Sequence, residues 1–276
     1  MSLFIASINS GSNANCYYVG NRTEAVLIDA GVSCRETETR MKRLGLSMKK
    51  VKAIFISHEH GDHIGGLRSL IKKYPVPVYI TPETMREGKV SLRESLVHTF
   101  LPHESISIGN LSVTPFPKFH DASDPHSFIV EHEQVKVGVI TDIGIACENV
   151  IRYFKQCHAA FLESNFDDHM LETGRYPLAL KNRIRGGKGH ISNKQALELF
   201  KNHAPSFMSH LILSHLSQHN NTPGVAMNLF KPHAGNTEII IASRKEPSEV
   251  YHIENTVGID LYKPKVSKAL QLSLFS

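Results

Sequence analysis

The chain has 276 residues, 41% of them hydrophobic and 21% charged, a balance that excludes a disordered or fibrous protein and suffices for a full buried core. Its formal net charge of +5 favours a polyanionic partner only weakly, because net charge governs association and not fold. The opening MSLFIASINSGSNANC has no basic start followed by a long apolar run, no later segment is long enough for a bilayer, and Cys16, Cys34, Cys147 and Cys157 form no CxxC pair. We therefore expect a cytoplasmic protein with free thiols and no membrane partner.

In chain order, strands are expected at 3–8, 16–19 and 25–28, with the Ser/Gly/Asn cluster at 10–15 between the first two. A charged stretch at 35–44 has helical spacing, and the apolar run 51–57 follows it as a buried strand ending in histidines, with a helix starting near His63. Further strands are expected at 78–80, 111–116, 128–131, 135–140, 159–163, 211–214 and 238–241, with helices at 149–154, 193–200 and 225–230. This mixed order favours layered sheets with helices outside. No internal repeat stands out. After about Asn255 the chain changes to a short basic tail, so the expected division is a catalytic domain over 1–255 and an appended tail over 256–276.

Histidine is the compositional anomaly, with 17 in the chain, several at the ends of apolar runs where strands hand over to loops and sites are built. His58-Glu59-His60-Gly61-Asp62-His63 offers four potential metal ligands in six residues, directly after a strand that can hold them. Clustered imidazoles and carboxylates have little packing value without a cation, which needs the imidazoles neutral and the carboxylates ionised. The zincin HExxH pattern fails, because Asp62 stands where its second histidine would be. His120, Asp142 and His215 each follow an apolar run. A lone histidine there is more often structural, but three such residues beside an established cluster shift the balance toward ligation.

The pattern HxHxDH followed by His, Asp and His resembles the metallo-β-lactamase superfamily over nearly the whole chain up to about Asn255. The resemblance implies an α/β fold, an αββα sandwich of two mixed sheets flanked by helices, and two divalent ions of zinc or manganese, with iron also possible. It implies that His58, His60 and His120 hold one ion, Asp62, His63 and His215 the other, with Asp142 bridging. Asp29 in LIDAG matches the superfamily's early aspartate, which orients a ligand histidine. True β-lactamases of this fold often carry cysteine where this chain has Asp142. A bridging carboxylate suits two cations, which lower the pKa of bound water to about 7 and stabilise charge on a phosphoryl group.

His190 in GKGHISN precedes a helix that Ser192 or Asn193 can cap. It is similar to a histidine of ribonuclease Z and PhnP-like phosphodiesterases that assists the leaving group, so the catalytic set implied is His190, Asp62 and Asp142. Lys181, Arg183, Arg185 and Lys188 lie in a stretch, 175–190, without an acidic residue, and are expected to contact a phosphate backbone, against the plainer reading of a solvated cationic loop. SGSNANCYYV, LESNFDDHML, RYPLALKNRI, GHISN and SHLSQHNNTP resemble the YycJ/WalJ group of bacterial nucleases within the superfamily. That resemblance implies a 5′ to 3′ DNA exonuclease linked to repair or replication. Phe166 departs from the group's ESNHD pattern, where histidine is usual. A small-molecule hydrolase of the glyoxalase II or lactonase kind shares the ligands. It is disfavoured by His190, by the basic stretch, and by too little chain after His215 for a helical substrate domain. Finally, Gln271, Leu272, Leu274 and Phe275 resemble the QL[S/D]LF peptide by which bacterial repair proteins dock on the DNA sliding clamp.

Overall fold

The computed structural model describes residues 2–255. The tail residues Gln271, Leu272, Leu274 and Phe275 lie outside them.

The strands are β1 (Ser2–Asn9), β2 (Cys16–Gly20), β3 (Ala25–Ile28), β4 (Val51–Phe55), β5 (Val78–Tyr79), β6 (Val97–His98), β7 (Ile106–Ile108), β8 (Leu111–Pro117), β9 (His126–His132), β10 (Val135–Ile140), β11 (Ala159–Glu163), β12 (His210–Ser214), β13 (Glu238–Ile241) and β14 (Tyr251–Glu254). They form two seven-stranded sheets, ordered β14-β1-β2-β3-β4-β5-β6 and β13-β12-β11-β10-β9-β8-β7. Each sheet is half antiparallel and half parallel. In the first, β14 through β3 pair antiparallel and β3 through β6 parallel. In the second, β7 through β10 pair antiparallel and β10 through β13 parallel. The two halves therefore share a pairing scheme that no sequence repeat announces.

The helices are α1 (Cys34–Arg43), α2 (Gly61–Ile64), α3 (Leu67–Lys73), α4 (Pro82–Glu87), α5 (Glu148–Phe154), α6 (Asp168–Thr173), α7 (Leu178–Arg185), α8 (Asn193–His203) and α9 (Pro223–Phe230). Alternation along each strand decides where they sit. Leu3, Ile5, Val26, Ile28 and Phe55 of the first sheet face Val113, Phe128, Val130, Val137 and Phe161 of the second, forming the inner core. The opposite faces are apolar too. Ala6, Ile8, Leu27 and Ile54 pack under Met41 of α1 and Leu67, Leu70 and Ile71 of α3. Ile129, Ile140, Leu162 and Leu211 pack under Val150 and Phe154 of α5, Phe200 of α8 and Phe230 of α9. Both faces of both sheets are covered, which is why the strands read as continuous apolar runs. No helix of the described residues is long and apolar enough to cross a membrane.

Most of the expected elements form, and the differences have physical causes. β6, β7 and β14 were not expected; the first two are short, and β14 owes its pairing to β1, nearly the whole chain away. The stretch holding Lys181, Arg183 and Arg185, for which a cationic loop was the plainer reading, forms α7 after Pro177. The helix expected near His63 is broken into α2 and α3 at Gly65 and Gly66.

That break lets two backbones approach closely. The amide of Ala30 donates to the carbonyl of His63 at 2.8 Å, the amide of Gly66 to that of Ala30 at 2.8 Å, and the amide of Asn15 to that of Asp62 at 2.7 Å. A Cβ at Gly66 would lie 1.7 Å from the carbonyl oxygen of Val32, and one at Gly31 would lie 1.7 Å from that of Asp62. Neither obstacle is a flexible side chain, so a methyl group there has to displace main chain. Gly66→Ala is expected to cost about 1–3 kcal/mol in urea unfolding. Gly224→Ala, in α9 with nothing within 4 Å of the added atom, is expected to be neutral or to stabilise by up to about 1 kcal/mol. Equal midpoints for Gly66→Ala and the unsubstituted protein would remove the close-approach argument.

Candidate metal centre

The chemistry-bearing residues gather at the carboxyl ends of the central strands, where open α/β sheets place their ligands. Asp29 follows β3, the His58–His63 segment follows β4, His120 follows β8, Asp142 follows β10, Glu163 ends β11 and His215 follows β12. Three of these residues adopt left-handed backbone conformations, with φ of 63° at Asp29, 54° at Asp142 and 56° at His215. Such conformations are uncommon for residues other than glycine and concentrate at functional sites. Here they turn the chain out of the strand so that the side chain faces the gap between the sheets.

Two groups of ligand atoms result. His58, His60 and His120 form one: His58 Nε2 lies 3.1 Å and His120 Nε2 3.4 Å from His60 Nδ1. Asp62, His63 and His215 form the other, with His63 Nε2 and His215 Nε2 each 3.4 Å from Asp62 Oδ2. Asp142 reaches into both. Its Oδ2 lies 3.3 Å from His63 Nε2, and its Oδ1 lies 3.5 Å from His215 Nε2 and 3.9 Å from His120 Nε2. Asp142 Oδ2 is buried without a hydrogen bond. A buried, unsatisfied carboxylate oxygen beside converging imidazole nitrogens is costly by itself and fits a divalent cation.

The surrounding charges are balanced in two ways. Burial pushes His58 well below the ordinary histidine range and His120 down to about 4, so these rings stand neutral and ready to donate lone pairs. Burial also pulls on His63 and His215, but carboxylates outweigh it. Asp29, Asp142 and Asp62 hold His63 well above its usual range, and Asp142, Asp62 and Glu163 push His215 up to about 10. The same carboxylates that raise these two pKa values favour positive charge at this end of the cluster. Lys118 adds a fixed cation, buried and donating from Nζ to the carbonyl of Thr141 at 2.8 Å, with its own pKa pushed down by burial.

Hydrogen bonds fix the ligand rings. Asp29 Oδ2 accepts from His63 Nδ1 at 2.7 Å and from the Ser57 hydroxyl at 2.9 Å, while its Oδ1 accepts from the Ser57 amide at 2.8 Å. The carbonyl of Gly189 accepts from His120 Nδ1 at 3.0 Å. Asn15 donates from Nδ2 to Asp62 Oδ2 at 3.0 Å. Glu163 Oε1 lies 2.7 Å from His190 Nδ1 and 3.2 Å from His215 Nδ1, and Glu163 Oε2 accepts from the Ile143 amide at 2.8 Å. Asn15, Lys118 and Glu163 were not expected as site residues. The first and last lie within SGSNANC and LESNFDD, yet nothing local marks their contacts.

A cavity of about 220 Å³ opens over Asp62, Asp142, His190 and His215, walled by Tyr176, Leu180, Arg183 and Ile184. The four basic residues are not gathered on one surface. Arg183 lines the cavity and pairs with Asp121. Lys181 and Arg185 turn to Glu172, through its carbonyl and its carboxylate respectively. Lys188 is exposed in the glycine-flanked loop after α7. That loop is tightly curled, with the amide of His190 donating to the carbonyl of Ile184 at 2.7 Å. Phe166 is buried, and its carbonyl accepts from the amide of Asn193 at 2.7 Å. Its side chain is therefore a packing group.

The family model described as "Beta-lactamase superfamily domain" matches residues 24–216. Exodeoxyribonuclease YycJ of Bacillus anthracis is 33% identical over 231 residues, covering 82% of this chain and 87% of the relative. Exodeoxyribonuclease WalJ of Streptococcus pneumoniae is 28% identical over 224 residues, covering 79% and 82% respectively. The crystal structure of the metallo-beta-lactamase fold protein YhfI from Bacillus subtilis superposes with a TM-score of 0.71, covering 91% of this chain and all of that one at 16% identity; it matches in fold. Family model, relatives and architecture agree with the ligand groups at the strand ends: the chain belongs to the metallo-β-lactamase superfamily and is a hydrolase of its metal-dependent kind.

Proposed function

We propose that the protein is a binuclear metal-dependent phosphodiesterase, a 5′ to 3′ DNA exonuclease acting in repair or replication in the cytoplasm. The observation that carries the binuclear reading is Asp142, whose carboxylate reaches both histidine groups and keeps one buried oxygen unpaired. His58, His60 and His120 would hold one ion, Asp62, His63 and His215 the other, and Asp142 both. Zinc and manganese both suit this nitrogen and oxygen donor set. When bound, two such ions activate water at neutral pH and neutralise charge on a phosphoryl group.

The chain's own residues supply the rest. Glu163 orients His190 by accepting from Nδ1, and His190 Nε2 carries no hydrogen bond among the described residues. When protonated on both nitrogens, a ring held in this way on the cavity wall can deliver its Nε2 proton to a leaving oxygen and keep its Nδ1 proton on Glu163. Asp29 holds the His63 ring, and Asn15 holds the Asp62 carboxylate. Arg183 at the cavity and exposed Lys188 can contact phosphate, with Lys181 and Arg185 further out. DNA as the substrate is supported by the two relatives, both named exodeoxyribonucleases. The clamp-docking reading of Gln271, Leu272, Leu274 and Phe275 rests on the pentapeptide alone.

Purified protein should degrade end-labelled DNA with zinc or manganese, and 5′ labels should be released first. Asp62→Ala should lower bound metal and cut hydrolysis by about 10²-fold or more. Full turnover by metal-depleted Asp62→Ala would contradict the mechanism.

His190→Ala should keep its metal content and slow DNA cleavage by about 10²–10⁴-fold, with a smaller loss on p-nitrophenyl esters, whose leaving group needs no proton. Loss of metal in this variant would place His190 among the ligands instead.

A peptide spanning 268–276 should bind a bacterial sliding clamp, and Leu274→Ala with Phe275→Ala should abolish that binding. No association at roughly tens of micromolar, with a known clamp peptide binding in parallel, would rule it out.

A further inference from the structure

A second cavity lies behind the wall that carries His215. Its volume is about 480 Å³, and its deeper lining is largely apolar, with Leu216 and Ala242 buried and Ile241 half-buried beside the buried Ser10 and Asn221. Arg244 and Lys245 stand on its rim, and no carboxylate lines it. The metal-centre cavity is of the opposite kind, lined by Asp62, Asp121 and Asp142. The two are neighbours, because the segment after β12 contributes to the lining of both. His215 faces the first, Leu216 and Gln218 face the second, and Ser217 lines both. Ser10 ties the wall down, its hydroxyl accepting from the His215 amide at 2.7 Å while it also lines the second cavity.

The cations at this rim are available. Arg244 donates to the carbonyl of Leu216 and, at 3.2 Å, to Gln218 Oε1, both neutral acceptors. Lys245 is exposed, and its ammonium group has no ion pair among the described residues. The neighbouring carboxylate, Glu246, is engaged with Arg43 at 2.6 Å. A largely apolar lining with a cationic, carboxylate-free rim suits one chemical class well, a nucleotide unit with its base against the lining and its phosphate against the rim.

We propose that this cavity is a strand-binding subsite, which holds the nucleotide adjoining the one whose phosphodiester lies at the metal centre. The proposal rests on the phosphodiesterase reading above and assigns the path of the substrate strand, across Ser217 toward Arg244 and Lys245. Substrates of several nucleotides engage both cavities, and a simple diester engages the first alone. The subsite therefore adds to kcat/KM on oligonucleotides through binding, and that gain is screened by salt.

The test compares kcat/KM on a single-stranded DNA 12-mer with kcat/KM on bis(p-nitrophenyl) phosphate, in the metal-loaded full chain. Lys245→Glu is the primary variant, because its side chain holds no structural contact; Arg244→Gln is the second. The ratio of the two rates should fall about tenfold in Lys245→Glu, and the salt dependence of the oligonucleotide rate should become shallower by about one power of salt concentration in either variant. An unchanged ratio in both variants, including equal losses on both substrates, overturns the subsite and leaves the nuclease reading standing. If the unsubstituted protein hydrolyses the diester but no oligonucleotide under zinc or manganese, the nuclease reading fails and the subsite fails with it.

Discussion

The organisation of this protein turns on compensating negative charge that is withdrawn from water. Asp29, Asp142 and Glu163 are fully or almost fully buried, and Asp62 is largely so, all at one end of the two sheets. Carboxylates in such surroundings persist only if cations or donors surround them. Backbone amides, Ser57, Asn15, buried Lys118 and the His63, His190 and His215 rings share that task. Asp142 Oδ2 is the atom they leave unserved. A divalent ion completes the set, so ion binding and local stability are linked at this end of the molecule.

The sandwich makes this arrangement tolerable by keeping it at an edge. The inner core runs between the sheets on apolar contacts alone, from Leu3 and Ile5 to Phe128 and Phe161, and does not need the polar cluster to hold together. The strained backbones at Asp29, Asp142 and His215 are attached to strands buried on both faces, so rigid elements bear their cost. The glycines at 31 and 66 bring the β3 and β4 connections close enough for main-chain bonds from Ala30 and Gly66. Together these features hold donors in position before any ion arrives, which is the condition for a site that does chemistry with little reorganisation.

Two cavities of opposite electrostatic character flank the segment at 215–218. The first is acidic and takes cations; the second is basic at its rim and largely apolar in its deeper lining. Under the proposed nuclease reading, a polyanion with flat apolar bases would complement that pair as a unit, with a phosphate at the metal centre and the next nucleotide beside Arg244 and Lys245. The basic residues of α7 contribute differently, with Arg183 on the cavity and its companions engaged by Glu172. Among the described residues, positive charge in this stretch of the sequence thus reaches the metal-centre cavity only at Arg183.

Much of the fold could be read from the chain, because runs such as 135–140 and 159–163 are apolar enough to be buried on both faces and short enough to be strands. The hexapeptide His58–His63 announced a metal site, since ligand density in six residues is a local property. The sequence also offered Ser192 or Asn193 as the cap of α8, and it is Ser192 whose side chain caps the first turn. Only the tertiary structure decided which distant residues complete the site. Glu163 meets His190 across 27 positions, Asn15 meets Asp62 across 47, and Asp142 comes within reach of ligands from three other strand ends. Those contacts depend on strand order and register, which arise from packing two sheets together and leave no periodic mark on the residues they join.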